Sequence, residues 1–451
     1  MVTKTMNWKQ LLSTRRYGKP DTKEVDLEII RTNFQRDYDR LIFSSAFRRL
    51  QNKTQVFPLP GSVFVHNRLT HSLEVASIGR SLGNIVARRI ESEVEPELKP
   101  LIGELGTIVS VAGLAHDLGN PPFGHSGESA ISNFFENGDG RTLQKEMTEA
   151  EWADLTNFEG NANLLRLLTH QFKGRRPGGM SLTYACLAAM IKYPFASTER
   201  LKKGKYGFFQ SEREAFLSIV EETGLICTDA QRGIYARSPL AYLMEAADDI
   251  AYMIMDIEDA HRLGILSFDE TRERLSSFFD GENLSIFKKK LDDVKDVVTD
   301  SNELVAFLRA MSINHLTTRT SEVFLNHRNE IMEGTFKGSL VKNLPEKIET
   351  EYEESSDMSV RKIYNNRSVV KVEITGYNVL KTLVEEFLQA AMKPDTNYSR
   401  KLLQLIPEQY NVDNTTVYGK CRSILDFVSG MTDLYAMDLY KLIRGDNTLV
   451  I

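Results

Sequence analysis

The hydrophobic residues of this chain recur mostly at spacings of three and four, which is the periodicity of an amphipathic α-helix. Two stretches carry the pattern over many turns, residues 69–90 and residues 240–263. Shorter stretches with the same spacing lie at 162–171, 183–192, 213–221, 303–312, 378–392 and 421–443. The pattern predicts an all-α fold, a helical bundle in which the two long helices are buried.

Signals for β-structure are few. The apolar pairs and triplets at 56–57 and 63–65 flank the turn Pro58–Gly61 and predict a short β-hairpin. Residues 368–374 (Ser-Val-Val-Lys-Val-Glu-Ile) alternate in part and predict one short strand. The expected β-content is therefore minor.

An acidic segment at 345–366 has little apolar surface to bury, so we expect it to be the least ordered part of the chain. It separates two regions of unequal length. The larger region, 1–344, holds the main motifs, and the smaller region, 345–451, is predicted to be a C-terminal helical extension that contains the short strand.

Composition and charge exclude several classes of protein. The 451 residues are 41% hydrophobic and 26% charged, as in an ordinary globular protein, and the formal net charge of −6 provides no global attraction for nucleic acids or anionic membranes. Cys186, Cys227 and Cys421 are far apart and predict neither a disulfide framework nor a zinc ribbon. The N-terminus has no apolar core of signal-peptide length, and no uninterrupted apolar run approaches the ~20 residues of a membrane helix. We therefore expect a cytoplasmic protein without a membrane partner.

The pair His116-Asp117 follows directly on an apolar helical run, and the loop that begins at Gly119 and contains Pro121-Pro122 ends that helix. Two ligating side chains at a buried helix end, next to an open loop, suit a divalent metal. A helix that merely happens to end in His-Asp is the alternative, and for the dipeptide alone it is the better interpretation.

Other groups in the chain favour the metal. His66 lies just before the long helix at 69–90 and His71 lies near its start, and either could be a ligand. Asp248 and Asp249 lie inside the apolar helix at 240–263, where an unpaired carboxylate is costly. One such histidine, His116-Asp117 and one such aspartate form a two-histidine, two-carboxylate set. Such a set suits Mn²⁺, Fe²⁺, Ni²⁺, Zn²⁺ or hydrated Mg²⁺.

The chain resembles the HD-domain metal-dependent phosphohydrolases and, more closely, the deoxyguanosine triphosphate triphosphohydrolase-like (dGTPase-like) family. The resemblance spans roughly residues 7–265, with a weaker echo at Met431–Tyr435. It implies an HD-domain bundle, the metal ligands His71, His116, Asp117 and Asp248, and Mg²⁺ or Mn²⁺ as the ion, with Fe, Ni, Co or Zn as alternatives. The segments that carry it are Phe47–Phe57, Asn67–Val75, Ala115–Glu128, Asn157–Asn161 and Ser238–Tyr252.

The resemblance also implies a reaction, in which a deoxynucleoside triphosphate (dNTP) and water give a deoxynucleoside and tripolyphosphate. His125 and Glu128 are three residues apart at a predicted helix start, so they can touch. A carboxylate that orients an imidazole makes it a competent acid or base. The matching positions in the family serve catalysis. The residues leave open whether His125 attacks phosphorus, deprotonates water or protonates the leaving oxygen.

Substrate-binding residues follow from the same resemblance. Asp248, Tyr252 and Asp256 share one helix face. Tyr252 and Asp256 resemble the pair that packs on the sugar and binds its 3′ hydroxyl, and a tyrosine under the 2′ carbon would exclude a ribose hydroxyl. The remaining candidates are Gln51 for the 3′ hydroxyl, Arg68 for the α-phosphate, and Lys192 and Lys205 for the other phosphates.

Two alternative functions stay open at this point. One is an HD phosphohydrolase that acts on another nucleotide, and the other is a dNTP-sensing, nucleic-acid-binding protein with weak catalysis. Relatives are commonly hexamers or tetramers, some are controlled by nucleotides and some bind single-stranded DNA. The resemblance therefore implies a homo-oligomer, with a dNTP effector and single-stranded DNA as further partners.

Overall fold

The computed structural model describes residues 5–20, 31–57, 66–199 and 204–446, and within them the all-α prediction is confirmed. The longer helices are α1 (Asn33–Ile42), α2 (Arg68–Ile90), α3 (Leu105–Ala115), α4 (His125–Glu136), α5 (Glu149–Thr156), α6 (Gly160–Thr169), α7 (Tyr184–Met190), α8 (Arg213–Thr223), α9 (Pro239–Arg262), α10 (Phe268–Ser277), α11 (Gly281–Lys295), α12 (Ser301–Asn326), α13 (Glu346–Met358), α14 (Arg367–Met392), α15 (Asn397–Leu403), α16 (Val417–Ser429) and α17 (Asp433–Arg444). Short α-helical turns lie at Trp8–Leu11, Ser45–Arg49, Lys99–Ile102 and Arg328–Glu333, and 3₁₀ turns at Leu50–Asn52, Glu91–Glu93, Pro96–Leu98, Asp139–Glu146, Ser197–Glu199, Gln210–Glu212 and Val341–Asn343.

The β-structure of the described residues consists of one short antiparallel pair, Cys227–Asp229 with Ile234–Tyr235, apart from isolated bridges. The hairpin expected around Pro58–Gly61 lies largely outside the described residues, which do not include 58–65. Val56 and Phe57, just before it, have no strand structure.

The strand expected at 368–374 is wrong, because these residues form the first turns of α14. The Asn366 side chain caps the helix by accepting a hydrogen bond from the Ser368 amide. Val369, Gly376 and Val379 are buried at helical spacing, whereas Ile374 is exposed. Packing of this helical stripe outweighs the strand preference of the β-branched residues.

The expectation of weak order at 345–366 is also wrong. The segment forms α13, which continues into a π-helical turn at Ser359–Tyr364. Ile348 and Ile363 are fully buried in the core, and the Tyr352 hydroxyl donates a hydrogen bond of 2.9 Å to the Asp249 carbonyl of α9. A few well-placed apolar and aromatic side chains are enough to dock an otherwise acidic helix.

Close packing of α2, α3 and α9 brings the polar motifs to one place. Glycine lets the backbones of α2 and α3 touch, since a Cβ atom on Gly83 would lie 2.7 Å from the Gly106 Cα and one on Gly113 would lie 2.9 Å from the Ala76 nitrogen. Helix α9 packs against both. Side chains from three distant parts of the sequence therefore meet where these helices converge.

The buried apolar side chains form two clusters. The larger one surrounds α2, α3 and α9 and includes Ile348 and Ile363 from the C-terminal region. The second joins Phe135 of α4 to α14, α16 and α17 through residues such as Phe387 and Phe427. The C-terminal region thus contributes to both clusters, and the division at residue 345 stays a prediction.

One stretch of the described residues, Pro96–Ala115, is long and apolar enough by length and composition to cross a membrane. Its second half is α3, whose apolar residues are buried among other helices. The core helix of a globular protein has the same composition, so this stretch is weak support for a membrane span.

Candidate metal and active site

His71 of α2, His116 and Asp117 at the end of α3, and Asp248 of α9 converge around one point. Asp248 Oδ1 lies 3.1 Å from His71 Nε2 and 3.5 Å from His116 Nε2, and Asp117 Oδ1 lies 3.6 Å from His116 Nε2. Ligand atoms of His71, His116 and Asp117 all lie within 4.8 Å of one another. Atoms that share an ion at about 2.1 Å stand about 3 Å apart in an octahedral shell, so the spacing fits a single divalent cation.

The tautomer of His116 strengthens this fit. Its Nδ1 donates a hydrogen bond of 2.7 Å to the Gly113 carbonyl, so in the neutral ring the lone pair is on Nε2. That Nε2 atom is buried and has no hydrogen-bond partner among the described residues, although it faces the Asp248 carboxylate. A buried imidazole nitrogen and a partly exposed carboxylate that face each other call for a cation between them.

Electrostatics favour the ligating protonation states of the two carboxylates. Burial by itself would raise the pKa of Asp248, but His116, a hydrogen bond from His71 and the Lys192 ammonium lower it well below its usual value. Burial likewise opposes ionisation of Asp117, whose pKa Arg68, His116 and His71 nevertheless lower. Both aspartates are therefore ionised at neutral pH.

His125 and Glu128 form a second polar group at the site. The Glu128 carboxylate accepts one hydrogen bond of 2.8 Å from the Gly160 amide and lies 2.8 Å from His125 Nδ1. Glu128 is buried, whereas the His125 side chain is 85% exposed and lines the cavity beside the metal ligands. With Nδ1 on Glu128, Nε2 is the imidazole atom left to exchange a proton with a bound molecule.

The turn before His125 admits little variation. Gly124 has φ +55°, in the left-handed region, and a Cβ atom there would lie 2.5 Å from Arg68 Nη2. The Arg68 guanidinium also donates a 2.8 Å hydrogen bond to Asp117. Arg68 thus lies between the metal ligands and the turn that carries His125.

A cavity of about 330 Å³ joins these groups. Its cationic side chains are already paired with acids: Lys192 lies 3.5 Å from Glu245, and Lys205 lies 2.7 Å from Glu159. Burial disfavours the charge of Lys192, but Glu245 and Asp248 outweigh it and raise the lysine pKa. The cavity is lined by Gln55, Arg68, His116, Asp117, Asn120, His125, Glu159, Asn161, Lys192, Tyr193, Lys205, Met244, Asp248, Asp249 and Tyr252.

Tyr252 lies edge-on to His71, with ring centroids 6.4 Å apart, and stacks on Tyr364 at 5.9 Å. The Tyr364 hydroxyl donates a short hydrogen bond to Asp256. Burial raises the pKa of Asp256 to about 7 against the opposing effect of that bond. Tyr364 belongs to the acidic segment expected to be weakly ordered, so nothing in its sequence context indicated a place beside Tyr252.

Two predicted substrate-binding residues lie outside the described lining of the cavity. Asp256 is buried and accepts a hydrogen bond from the Tyr364 hydroxyl. Gln51 is the other. It lies exposed on a 3₁₀ turn, outside the described lining of the cavity, because the chain turns inward only after it, at buried Lys53. Gln55 lines the cavity instead, and its Oε1 atom is buried without a hydrogen-bond partner. The spacing of two glutamines in one motif offered no local signal to separate them.

The structure places the two candidate histidines, His66 and His71, and the two candidate aspartates, Asp248 and Asp249, in different surroundings. His66 is held by Asp259 at 2.7 Å and Glu74 at 2.8 Å, outside the group of ligand atoms around His116. Asp248 faces His71 and His116, and Asp249, one residue on, also lines the cavity. The geometry favours His71 and Asp248, and their role as ligands stays a prediction.

Comparison with known proteins gives two family matches. The HD domain family matches residues 68–189, and the family described as phosphohydrolase-associated domain matches residues 343–442. Fold, site and matches define an HD-domain phosphohydrolase.

The chain is similar to curated proteins over nearly its full length. It is 38% identical to a deoxyguanosinetriphosphate triphosphohydrolase-like protein of Synechocystis sp. (98% of this chain, 99% of the relative) and 37% identical to one of Pseudomonas aeruginosa (98% and 99%). It is 30% identical to the deoxyguanosinetriphosphate triphosphohydrolase of Yersinia enterocolitica (97% and 98%). The chain therefore belongs to the deoxyguanosinetriphosphate triphosphohydrolase-like family and is a hydrolase.

Proposed function

We propose that this hydrolase converts a dNTP and water into a deoxynucleoside and tripolyphosphate, with dGTP or several dNTPs as substrates. The observation that carries the proposal is the cavity lined by His116, Asp117, Asp248, His125 and three cationic side chains. His71 lies next to Asp248 and Glu128 next to His125. A triphosphate carries about four negative charges near neutral pH and requires such cations.

The ligand set His71, His116, Asp117 and Asp248 would hold a divalent ion, Mg²⁺ or Mn²⁺ with Fe, Ni, Co or Zn as alternatives, which would polarise the α-phosphate and orient a water. Arg68 would bind a non-bridging oxygen of the α-phosphate. Its bond to Asp117 orients the guanidinium before substrate arrives.

The chain's own acid–base group is His125. In the proposed step a water oxygen bonds to the α-phosphorus, the bond from that phosphorus to the 5′ oxygen breaks, one proton leaves the water and one reaches the 5′ oxygen. His125 transfers a proton through Nε2, while the buried Glu128 carboxylate stabilises the charged imidazole. Lys192 and Lys205 would exchange their acidic partners for the outer phosphates.

Sugar selection is proposed for Tyr252, whose ring lies beside His71 and lines the cavity. A ring packed under the 2′ carbon would leave no room for a 2′ hydroxyl, so ribonucleotides would be rejected sterically. Asp256, bonded to Tyr364, would read the 3′ hydroxyl.

The test is a substrate panel with each dNTP alone and in pairs, the four ribonucleoside triphosphates, and Mg²⁺ or Mn²⁺. Products are separated by ion exchange, and we expect nucleoside and tripolyphosphate from at least one dNTP. Monophosphate products only, or turnover of another nucleotide class only, would contradict the proposal. Tight dNTP and nucleic-acid binding without turnover would favour the sensing function instead.

We further propose a cytoplasmic homo-oligomer, a hexamer or tetramer, that responds to a dNTP effector and binds single-stranded DNA. Family membership motivates these expectations. Light scattering of the eluting protein with and without dNTPs measures the subunit number, and filter binding measures the DNA affinity. A monomer that does not change with dNTPs would contradict the assembly.

A further inference from the structure

Asp433, in the first turn of α17, is a buried carboxylate with two backbone partners far away in sequence. Its Oδ1 accepts a hydrogen bond of 3.0 Å from the Phe123 amide, and its Oδ2 accepts one of 2.8 Å from the Thr54 amide. Only 4% of the residue is exposed. One side chain of the C-terminal region therefore ties down two loops of the N-terminal region.

The first of these loops carries His125. Phe123 has φ +61°, and among the described residues only Phe123 and Ser181 combine a positive φ with a side chain. A bulky residue adopts this conformation only where its surroundings hold it. Gly124 follows in the same region of φ, and α4 begins with His125. The amide held by Asp433 thus lies two residues before the acid–base histidine.

The phenyl ring of Phe123 is held from the same side. It packs into a notch at Gly376 of α14, where a Cβ atom would lie 2.4 Å from the Phe123 Cβ and Cγ. The Ser126 hydroxyl donates a hydrogen bond of 2.5 Å to the Glu373 carbonyl, one turn earlier on α14. Backbone and side chain of the turn are therefore both fixed by the C-terminal region.

The second loop leads to Arg68. Thr54 forms a β-bridge with Asn67, and the Arg68 amide donates a hydrogen bond of 3.2 Å to the Lys53 carbonyl. By accepting a hydrogen bond from the Thr54 amide, Asp433 restrains residues 53–54, which pair with the start of α2. Arg68 Nη2 in turn lies beside Gly124, so both loops meet at the guanidinium.

We propose that Asp433 is a positioning residue that sets the place of His125 relative to Arg68 and the metal ligands. It does not line the active cavity described above; it lines a neighbouring one with Thr54 and Phe123. Asp433 therefore acts on the reaction through backbone amides and has no substrate contact of its own. The kinetic test of this role of Asp433 rests on the proposed function.

The test is Asp433→Asn, with Asp438→Asn, an exposed residue of the same helix, as matched control. Asparagine keeps one acceptor oxygen and points an NH₂ donor at the other amide, so one of the two bonds is lost. We expect kcat to fall about 30-fold, since small misplacements of reacting groups cost up to about 100-fold. KM should change less than about 3-fold, and the metal content should stay that of the wild type.

A double-mutant cycle separates positioning from general destabilisation. In a His125→Asn background, Asp433→Asn should cost less than about 3-fold, because its effect passes through His125. Gly376→Ala, which pushes Phe123 from the other side while alanine favours the helix, should reproduce the kcat loss. The proposal would be overturned if the effects of Asp433→Asn and His125→Asn were fully additive. It would also be overturned if Asp433→Asn had the same kcat as Asp438→Asn, or if Asp433→Asn lost the folded state.

Hydrogen exchange measured by mass spectrometry needs no substrate. Peptides that contain Thr54 and Phe123 should exchange faster in Asp433→Asn than in Asp438→Asn, and unchanged exchange would also overturn the proposal. If the wild type hydrolyses no dNTP, the proposed function fails while this measurement still decides the role of Asp433.

Discussion

The side of the cavity with the proposed metal ligands and the side with His125 are held in place by different means. His71, His116 and Asp248 lie on or at the end of helices packed in the larger apolar cluster, where glycine contacts bring the backbones together. His125 follows a loop whose conformation depends on polar contacts, among them those of Asp433. A cation requires ligand atoms that are positioned to within tenths of an ångström, and packed helices provide that precision. Loops, in contrast, allow the substrate side to vary within one fold.

The largest effect is expected on the helical side. Asp248→Ala removes the carboxylate that faces both histidines, so we expect kcat to fall at least about 10³-fold and the bound divalent metal to be lost. Elemental analysis and the tripolyphosphate assay measure both. Asp249→Ala is the matched control and should retain the metal. If Asp249→Ala lost the metal and Asp248→Ala retained it, Asp249 would be the ligand instead.

The contact between Asp256 of α9 and Tyr364 of the π-helical turn should make the free energy of unfolding depend on pH. Asp256 has a pKa raised to about 7, above the ~3.9 of an unfolded chain, so the native state binds the extra proton between these values. Its contribution is fully present below about pH 4 and is lost as the pH rises through 7. One pKa unit corresponds to about 1.4 kcal/mol, so the loss should be about 2 to 4 kcal/mol.

Urea unfolding of wild type and Asp256→Asn over pH 4 to 8 checks this prediction. The free energy of unfolding of the wild type should decline relative to that of the variant as the pH rises. Parallel curves for the two proteins would mean that Asp256 titrates normally.

The loop side should respond more moderately. Glu128→Gln keeps the shape but removes the charge that stabilises a protonated His125, so we expect kcat to fall about 10²-fold with unchanged metal content. Glu136→Gln, exposed at the other end of α4, is the control and should leave kcat unchanged. Equal loss of activity in both variants would argue against the His125–Glu128 pair.

The smallest effect concerns the two glutamines. Gln55→Ala should raise KM about 5- to 10-fold, because it removes a buried polar group that faces the cavity, whereas Gln51→Ala should change KM less than about 2-fold. Steady-state kinetics on the preferred dNTP measure both. The reverse order would restore Gln51 to the substrate site.

Errors in the sequence-based predictions have a common physical origin. Val369 and Ile374 favour a strand locally, yet the buried stripe continues through Val379 into a long helix. The acidic residues after 345 predict solvation, yet Tyr352 and Tyr364 bond to α9. In both cases a few long-range contacts outweigh the average preference of a short window.

What the sequence determined by itself is the helical class, the long core helices, His116-Asp117 at a helix end and the carboxylates inside the helix at 240–263, because periodicity and residue type are local properties. The family resemblance, and not periodicity, singled out His71, Asp248 and the roles of His125 and Glu128. Tertiary structure alone decided that Gln55 rather than Gln51 lines the cavity, that Tyr364 lies on Tyr252, and that Asp433 holds the Phe123 turn. These are contacts between groups far apart along the chain, and they exist only once the helices have packed.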